Sequence, residues 1–284
     1  MNSINNFMNS VFDVVLTPLE WLGTSWALIL ASGVFGIVAL IGFKYISYQQ
    51  GIKASKDKIK GHMIAIRIYQ DDLVVVSQSV VKVLLRNLQY LSLNFGPFIP
   101  LAIPFVFVIA QFATRYSFAA LPVETLDGSL LAGHGTELVV EFDSNHRSAA
   151  ADLKIELPDG VVALSGLVRD GQNGVAFQEV VATKAGVHEI AFVLADGTRE
   201  IKLLVAGEAT RMMQPERVKS AFESVLWPAE PSFPSDSPFE RISFEYPDSD
   251  LGWLPGGLGG VLLIFLVASM AFGILVLKPL GIQI

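Results

Sequence analysis

The chain has 284 residues, enough for one large domain or two small ones, and 52% of them are hydrophobic, with a mean hydropathy of +0.51. The net charge of −7 is unevenly placed: Lys44–Asn94 holds eight Lys/Arg against three acids, whereas Arg115–Gly252 holds eleven basic against twenty-two acidic residues. The acidic stretch argues against nucleic acid as a partner, and the absence of cysteine excludes a disulfide framework and thiol chemistry.

Residues 1–16 place Ile4, Phe7, Met8, Val11, Phe12, Val15 and Leu16 on one helical face and Asn2, Asn5, Asn6, Asn9 and Asp13 on the other. This predicts an outer amphipathic helix lying in the membrane interface. A buried core helix carries the same pattern, but no soluble partner domain is adjacent in sequence. A positive n-region and a small-residue cleavage site are both missing, so no cleavable signal peptide is expected.

Residues 17–45 read as the first transmembrane helix. Thr17-Pro18-Leu19-Glu20 has the form of a capping box with Pro at the first helical position. Trp21 and Trp26 suit the outer interface, and Lys44 ends the apolar run.

Residues 46–94 are the basic segment. Its cations Lys53, Lys56, Lys58, Lys60, Arg67, Lys82 and Arg86 place it on the cytoplasmic side, since positive loops between spans stay inside. Asp71-Asp72 divides it. Ile52, Ile59, Met63 and Ile66 recur at helical spacing before the break, and Leu73, Val76, Val80, Val83, Leu84, Asn87 and Leu91 after it. Asp72 is the expected N-cap of the second helix. The expectation is a helical hairpin with one apolar, coiled-coil-like seam; two separate helices on the lipid surface are the alternative.

Residues 95–116 form the second expected span, with Pro97, Pro100 and Pro104 predicting a bend and Gln111 as its one strongly polar residue. Residues 120–207 alternate in strand fashion, as in Leu153, Ile155, Leu157 and Ile190, Phe192, Leu194, with further strands fitting 136–142, 161–167, 175–183 and 201–205. Turn signals at Pro158-Asp159-Gly160, Asn173-Gly174 and Asp196-Gly197 separate them, indicating an extracytoplasmic β-sandwich of immunoglobulin-like type. Residues 208–252 read as one short amphipathic helix over Pro215–Trp227, a Pro-rich extended linker over Pro228–Pro238, and an extra strand at Arg241–Pro247. Residues 253–284 hold the third transmembrane helix and a short cytoplasmic tail; Gly256/Gly260 and Ser269/Gly273 are small-xxx-small pairs.

The residues that carry enzyme chemistry are lacking. His62, His134, His146 and His188 have no zinc-ligand spacing, although His134 and His146 flank Asp143. Walker, dinucleotide and G-x-S-x-G patterns do not occur, and the Ser-x-x-Lys spacing of Ser55 and Lys58 reads as coincidence in a solvated basic loop. No catalytic residue, cofactor or metal is expected. What remains is polar groups at membrane depth or span ends: Lys44, Gln111, Thr114, Ser32 and Ser269, the candidates for a polar groove. Lys44 alone reads as a snorkelling side chain. Gln111 reads either as an interhelical hydrogen bond or as part of a water-lined groove.

The order of elements, with the stretch KASKDKIKGHMIAIRIYQDD…NLQYLSLNFGPFIPLAIPFVFVIAQ, resembles the YidC/Oxa/Alb membrane protein insertase superfamily. It is most similar to its three-span members, such as the core subunit of the ER membrane protein complex and its archaeal relatives. The resemblance covers residues 1–116 and 253–284. It implies a hydrophilic groove, open to cytoplasm and lipid, that helps hydrophobic segments of client proteins enter the bilayer. Two departures stand out: the basic residue nearest the family's mid-span cation is Lys44, at the span's end, and a β-domain is inserted between spans two and three.

The leading expectation is therefore a non-enzymatic insertase-like biogenesis factor. It sits in a prokaryotic plasma membrane as a multi-pass protein with its N-terminus outside and its C-terminus cytoplasmic. The alternative is a structural or assembly subunit of a larger membrane complex whose β-domain binds an outer partner. A ligand sensor is a third reading. The expected partners are the lipid bilayer and membrane-protein clients or complex subunits, with homo- or hetero-oligomers open.

Overall fold

A computed structural model describes residues 2–124, 135–208 and 210–282. Among the described residues, three helical stretches, Thr24–Ile46, Leu73–Tyr116 and Gly257–Leu280, are long and apolar enough to cross a membrane, which marks a multi-pass membrane protein by length and composition. The chain divides into two compact units, residues 1–28 with 106–263 and residues 29–105 with 264–284.

The first unit opens with helix α1, Asn2–Glu20. The expected helix start at Thr17-Pro18 is not a boundary. The Thr17 hydroxyl donates back to the Asp13 carbonyl at 2.6 Å, and α1 runs through Pro18 to Glu20. The chain breaks instead at Gly23, whose φ of +90° suits the glycine that ends a helix, and α2 (Thr24–Ile46) begins after it. The covered side of α1 mixes polar and apolar residues: Asn5 is 2% and Leu16 1% exposed, whereas Asn2, Asn6 and Phe7 are exposed.

The β-domain of this unit comprises β1 (Thr136–Phe142), β2 (Lys154–Glu156), β3 (Val161–Ala163), β4 (Val168–Asp170), β5 (Val175–Ala182), β6 (Gly186–Val193), β7 (Arg199–Ala206), β8 (Glu216–Val218) and β9 (Phe239–Phe244). Two antiparallel sheets form, one ordered β3-β5-β1-β9-β8 with β4 also on β5, the other β2-β6-β7. The period-two pattern of β1 turns Leu138 and Val140 inward, where they share a core with Val180, Ile190, Phe192, Leu204, Phe239 and Ile242. The β6–β7 hairpin closes on Gly197 at φ +89°, with the Asp196 carboxylate accepting from the Thr198 N–H at 2.9 Å.

Three expectations change here. The strand expected at 161–167 is confined to β3, Val161–Ala163, and a second short strand, β4, follows at Val168–Asp170; both pair with β5. Residues 215–227 do not form one helix: Glu216–Val218 pair with β9, and only Glu223–Leu226 (α6) is helical. Arg217 explains the strand, because its guanidinium donates to the carbonyls of Pro231 and Ile201 and pairs with Glu200, contacts set by the distant chain. Finally, the strand expected as an extra at 241–247 lies inside the sheet as β9, between β1 and β8. The domain thus extends beyond 207, and the Pro-rich stretch packs onto it with Phe233 in the core.

A buried ion pair pins that stretch. Lys202 is 0% exposed, and its ammonium donates to Glu230 and, at 2.7 Å, to the Gln214 carbonyl. Burial pushes the lysine below its usual range and Glu230 pulls it back.

In the second unit, α3 (Gln49–Ile68) and α4 (Leu73–Phe95) pack on each other as a hairpin. The Asp72 carboxylate caps α4, accepting from the N–H groups of Val74 at 3.0 Å and Val75 at 3.1 Å. The seam is only in part the apolar one expected: on α3, Ile52, Ile59 and Ile66 are covered and Met63 is exposed. The covered side of α4 carries Val76, Ser79, Val83, Asn87 and Tyr90, whereas Leu73, Val80, Leu84 and Leu91 are exposed. The helical phase explains this: 76, 79, 83, 87 and 90 share one face, and the larger apolar residues fall on another.

Pro97 ends α4, and α5 (Phe98–Tyr116) begins after it rather than at Phe95. In the second unit, α2, α5 and α7 (Gly257–Leu280) meet at an aromatic triad: Phe35 lies 4.9 Å from Phe105 and 5.5 Å from Phe265, ring centre to ring centre. Gly36 abuts the main chain of Ser269, so a side chain at 36 has no room.

Candidate functional site

A polar cluster joins α1 to α5 in the first unit. Asparagines four apart on α1 reach the β-domain: Asn5 Nδ2 donates to the Ser224 carbonyl at 2.7 Å and Asn9 Nδ2 to that of Pro228 at 2.9 Å. On α5, Gln111 and Arg115 are also four apart and therefore share a face. Gln111 Nε2 donates to Asn9 Oδ1 at 2.6 Å, and its Oε1 accepts from Arg115 Nε at 3.2 Å. Arg115, 2% exposed at its side chain, pairs with Asp13 at 2.7 Å. Phe12 meets Phe112 edge-on beside this network.

Arg211 continues the cluster outward, with Asp13 at 3.5 Å and Glu20 at 3.7 Å. Beside it lies a cavity of about 320 Å³ lined by Glu20, Thr24, Arg115, Tyr116, Thr210 and Arg211.

The groove candidates fall in different places. Gln111 and Thr114 are buried in the first unit. The Thr114 hydroxyl bonds back to the Ala110 carbonyl at 2.8 Å, and its own carbonyl accepts from the Met213 N–H at 2.6 Å. Gln111 thus faces α1, with its amide engaged at both ends. In the second unit, Lys44 Nζ donates to the Leu280 carbonyl at 2.7 Å, so it closes the C-terminal turn of α7. Ser32 is fully buried in α2, and the Ser269 hydroxyl donates to the Leu266 carbonyl of its own helix at 3.0 Å.

Of the hairpin cations, Lys53, Lys58, Lys60, Arg67 and Lys82 are exposed, while Lys56 and Arg86 are half-covered and Arg86 donates to Gln89 at 2.6 Å. They accompany an apolar surface made by Val74, Val80, Val81, Leu84, Leu85, Leu88 and Leu91 on the opposite side of α4.

His134 lies outside the described residues. His188 Nε2 contacts the Lys184 carbonyl at 2.8 Å, and Asp143 pairs with Lys219 at 2.8 Å rather than with a histidine. That lysine bond, with the Asn145 N–H, holds the Asp143 carboxyl down to about 2. Among the described residues no three metal-ligating side chains come together.

Sequence reasoning missed Asn5, Asn9, Asp13, Arg115 and Arg211 as parts of one network. The available signal was the matching four-residue spacing of Asn5, Asn9 and Asp13 on α1 and of Gln111 and Arg115 on α5. No protein-family model, curated protein or solved structure matches the chain.

Proposed function

We propose that the protein is a non-enzymatic membrane-protein biogenesis factor of the YidC/Oxa/Alb insertase type, in a prokaryotic plasma membrane. The hairpin is then cytoplasmic, the N-terminus outside, and the β-domain an extracytoplasmic immunoglobulin-like addition. The basic hairpin supports this orientation through the positive-inside bias, and the two facing antiparallel sheets with one core support the domain assignment.

One observation carries the functional reading: α4 turns its largest apolar side chains away from its hairpin partner, with Leu84, Leu85 and Leu88 each about 60% exposed. A client's hydrophobic segment covers such a face by the same packing that joins amphipathic helices. Lys82 and Arg86 beside it hold anionic headgroups. Photo-crosslinkers at Leu84 and Leu88 in the full chain test this. Capture of newly made membrane proteins from those positions, and not from Lys58, supports the reading; equal capture from all three ends it.

The structural-subunit reading also has a specific observation behind it. Phe35, Phe105 and Phe265 pack as an apolar plug between three helices, and the Gln111 amide is engaged at both its nitrogen and its oxygen by Asn9 and Arg115. That favours a dry bundle at those levels. Co-purification from native membranes with a fixed partner, instead of a range of clients, selects this reading.

A further inference from the structure

The cavity beside Arg211 belongs to neither reading. Its floor is made by two side chains that are almost wholly buried: Arg115, and Tyr116 at 5% exposure. Arg115 donates Nε to Gln111 and Nη2 to the Asn9 carbonyl and forms an ion pair with Asp13, but among the described residues its Nη1 has no hydrogen-bond partner, and neither has the Tyr116 hydroxyl nor Asp13 Oδ1. Two buried donors without acceptors, on adjacent residues, cost free energy that a ligand oxygen recovers. The wall adds Thr210, whose hydroxyl donates to the Met212 carbonyl at 2.7 Å, and Thr24, the first residue of a 23-residue helix whose opening N–H groups lack intrahelical acceptors. The rim is charged and open, with Arg211 and Glu20 both nearly half exposed at their side chains.

We propose that this cavity binds a phosphodiester, supplied by an amine-bearing phospholipid headgroup. The phosphate oxygens take Arg115 Nη1, the Tyr116 hydroxyl and Arg211; the ammonium faces Glu20. Two arguments select this source over free phosphate. The first is charge: Arg115 and Arg211 are already balanced by Asp13 and Glu20, so a zwitterion preserves neutrality where a free dianion does not. The second is depth. The cavity sits where α2 starts and α5 ends, the level at which span termini meet headgroups. Trp21 next to it is exposed, and Trp26 packs on Trp253 at 6.0 Å, as interfacial aromatics do.

The test uses the purified, delipidated full chain and two variants outside the helix-joining bonds, Tyr116→Phe and Arg211→Gln. Native mass spectrometry is run with added phosphatidylethanolamine or phosphatidylglycerol, and thermal melts with inorganic phosphate. The expected result is one retained phosphatidylethanolamine, weaker phosphatidylglycerol, no shift with phosphate, and roughly tenfold weaker lipid retention in each variant, as for loss of one charge-assisted hydrogen bond. Unchanged retention in both variants overturns the site. Stabilisation by inorganic phosphate that matches the lipid overturns the lipid as its source. Equal retention of both lipids overturns the role of Glu20.

Discussion

Gln111 and Asn9 meet side chain to side chain at 2.6 Å, so the one amide at depth in α5 is answered by an asparagine of α1. This contact makes α1 a strap that grips protein with Asn5, Asn9, Asp13 and Leu16 and leaves Phe7 and Val14 outward. Gln111→Leu leaves Asn9 and Arg115 each short of a partner and is expected to cost about 1–2 kcal/mol. Asn9→Ala should cost a similar amount, and the double variant less than the sum. Thermal melts of the four proteins check this; additive losses refute the coupling.

The Lys202–Glu230 pair yields an asymmetric expectation. Glu230→Ala strands a buried ammonium and should destabilise the β-domain by about 3–5 kcal/mol. Lys202→Met with Glu230→Leu removes both charges and should recover most of that loss. Denaturant melts followed by tryptophan fluorescence decide it.

Truncation tests where the domain ends. A fragment of residues 120–207 lacks β9, the strand between β1 and β8, and is expected to lose its sheet signal. A fragment of residues 118–250 should keep an antiparallel spectrum by circular dichroism. A folded shorter fragment contradicts the sheet order.

Asp143 sets an acid limb. The Lys219 hydrogen bond holds its folded carboxyl at about 2, below the unfolded value of about 4. Its contribution is therefore present above pH about 4 and is lost as pH falls toward 2. Asp143→Asn should flatten the fall in melting temperature across that window while leaving stability at pH 7 slightly lower. An unchanged acid limb in the variant argues against this pair.

Two glycines separate packing from propensity. Gly36→Ala drives a methyl into the Ser269 main chain, whereas Gly61→Ala on α3 meets nothing within 4 Å among the described residues. The first should lower the melting point. The second should raise stability by about 1 kcal/mol through helix propensity.

Local signals were legible in the residues. The alternation of Thr136–Phe142 announces β1, and Asp72 announces the start of α4, because each is set by neighbours within a few positions. Nonlocal choices were not. Val218, Ala221, Phe222 and Val225 have helical spacing, but Val218 pairs with β9 instead, together with Glu216 and Arg217. The apolar period of α4 identifies a face without saying whether protein or another surface covers it. Arg115 reads as a span-ending cation until Asn9 and Asp13 arrive from the far N-terminus.

The position of β9 also imposes a schedule on synthesis. The central strand β1 is made early, yet one of its two edges stays open until residue 244 has been translated, a dozen residues before α7 begins. The sheet therefore closes only as the last apolar helix follows it out of the ribosome. Until then, β1 offers a free hydrogen-bonding edge that any passing strand can occupy.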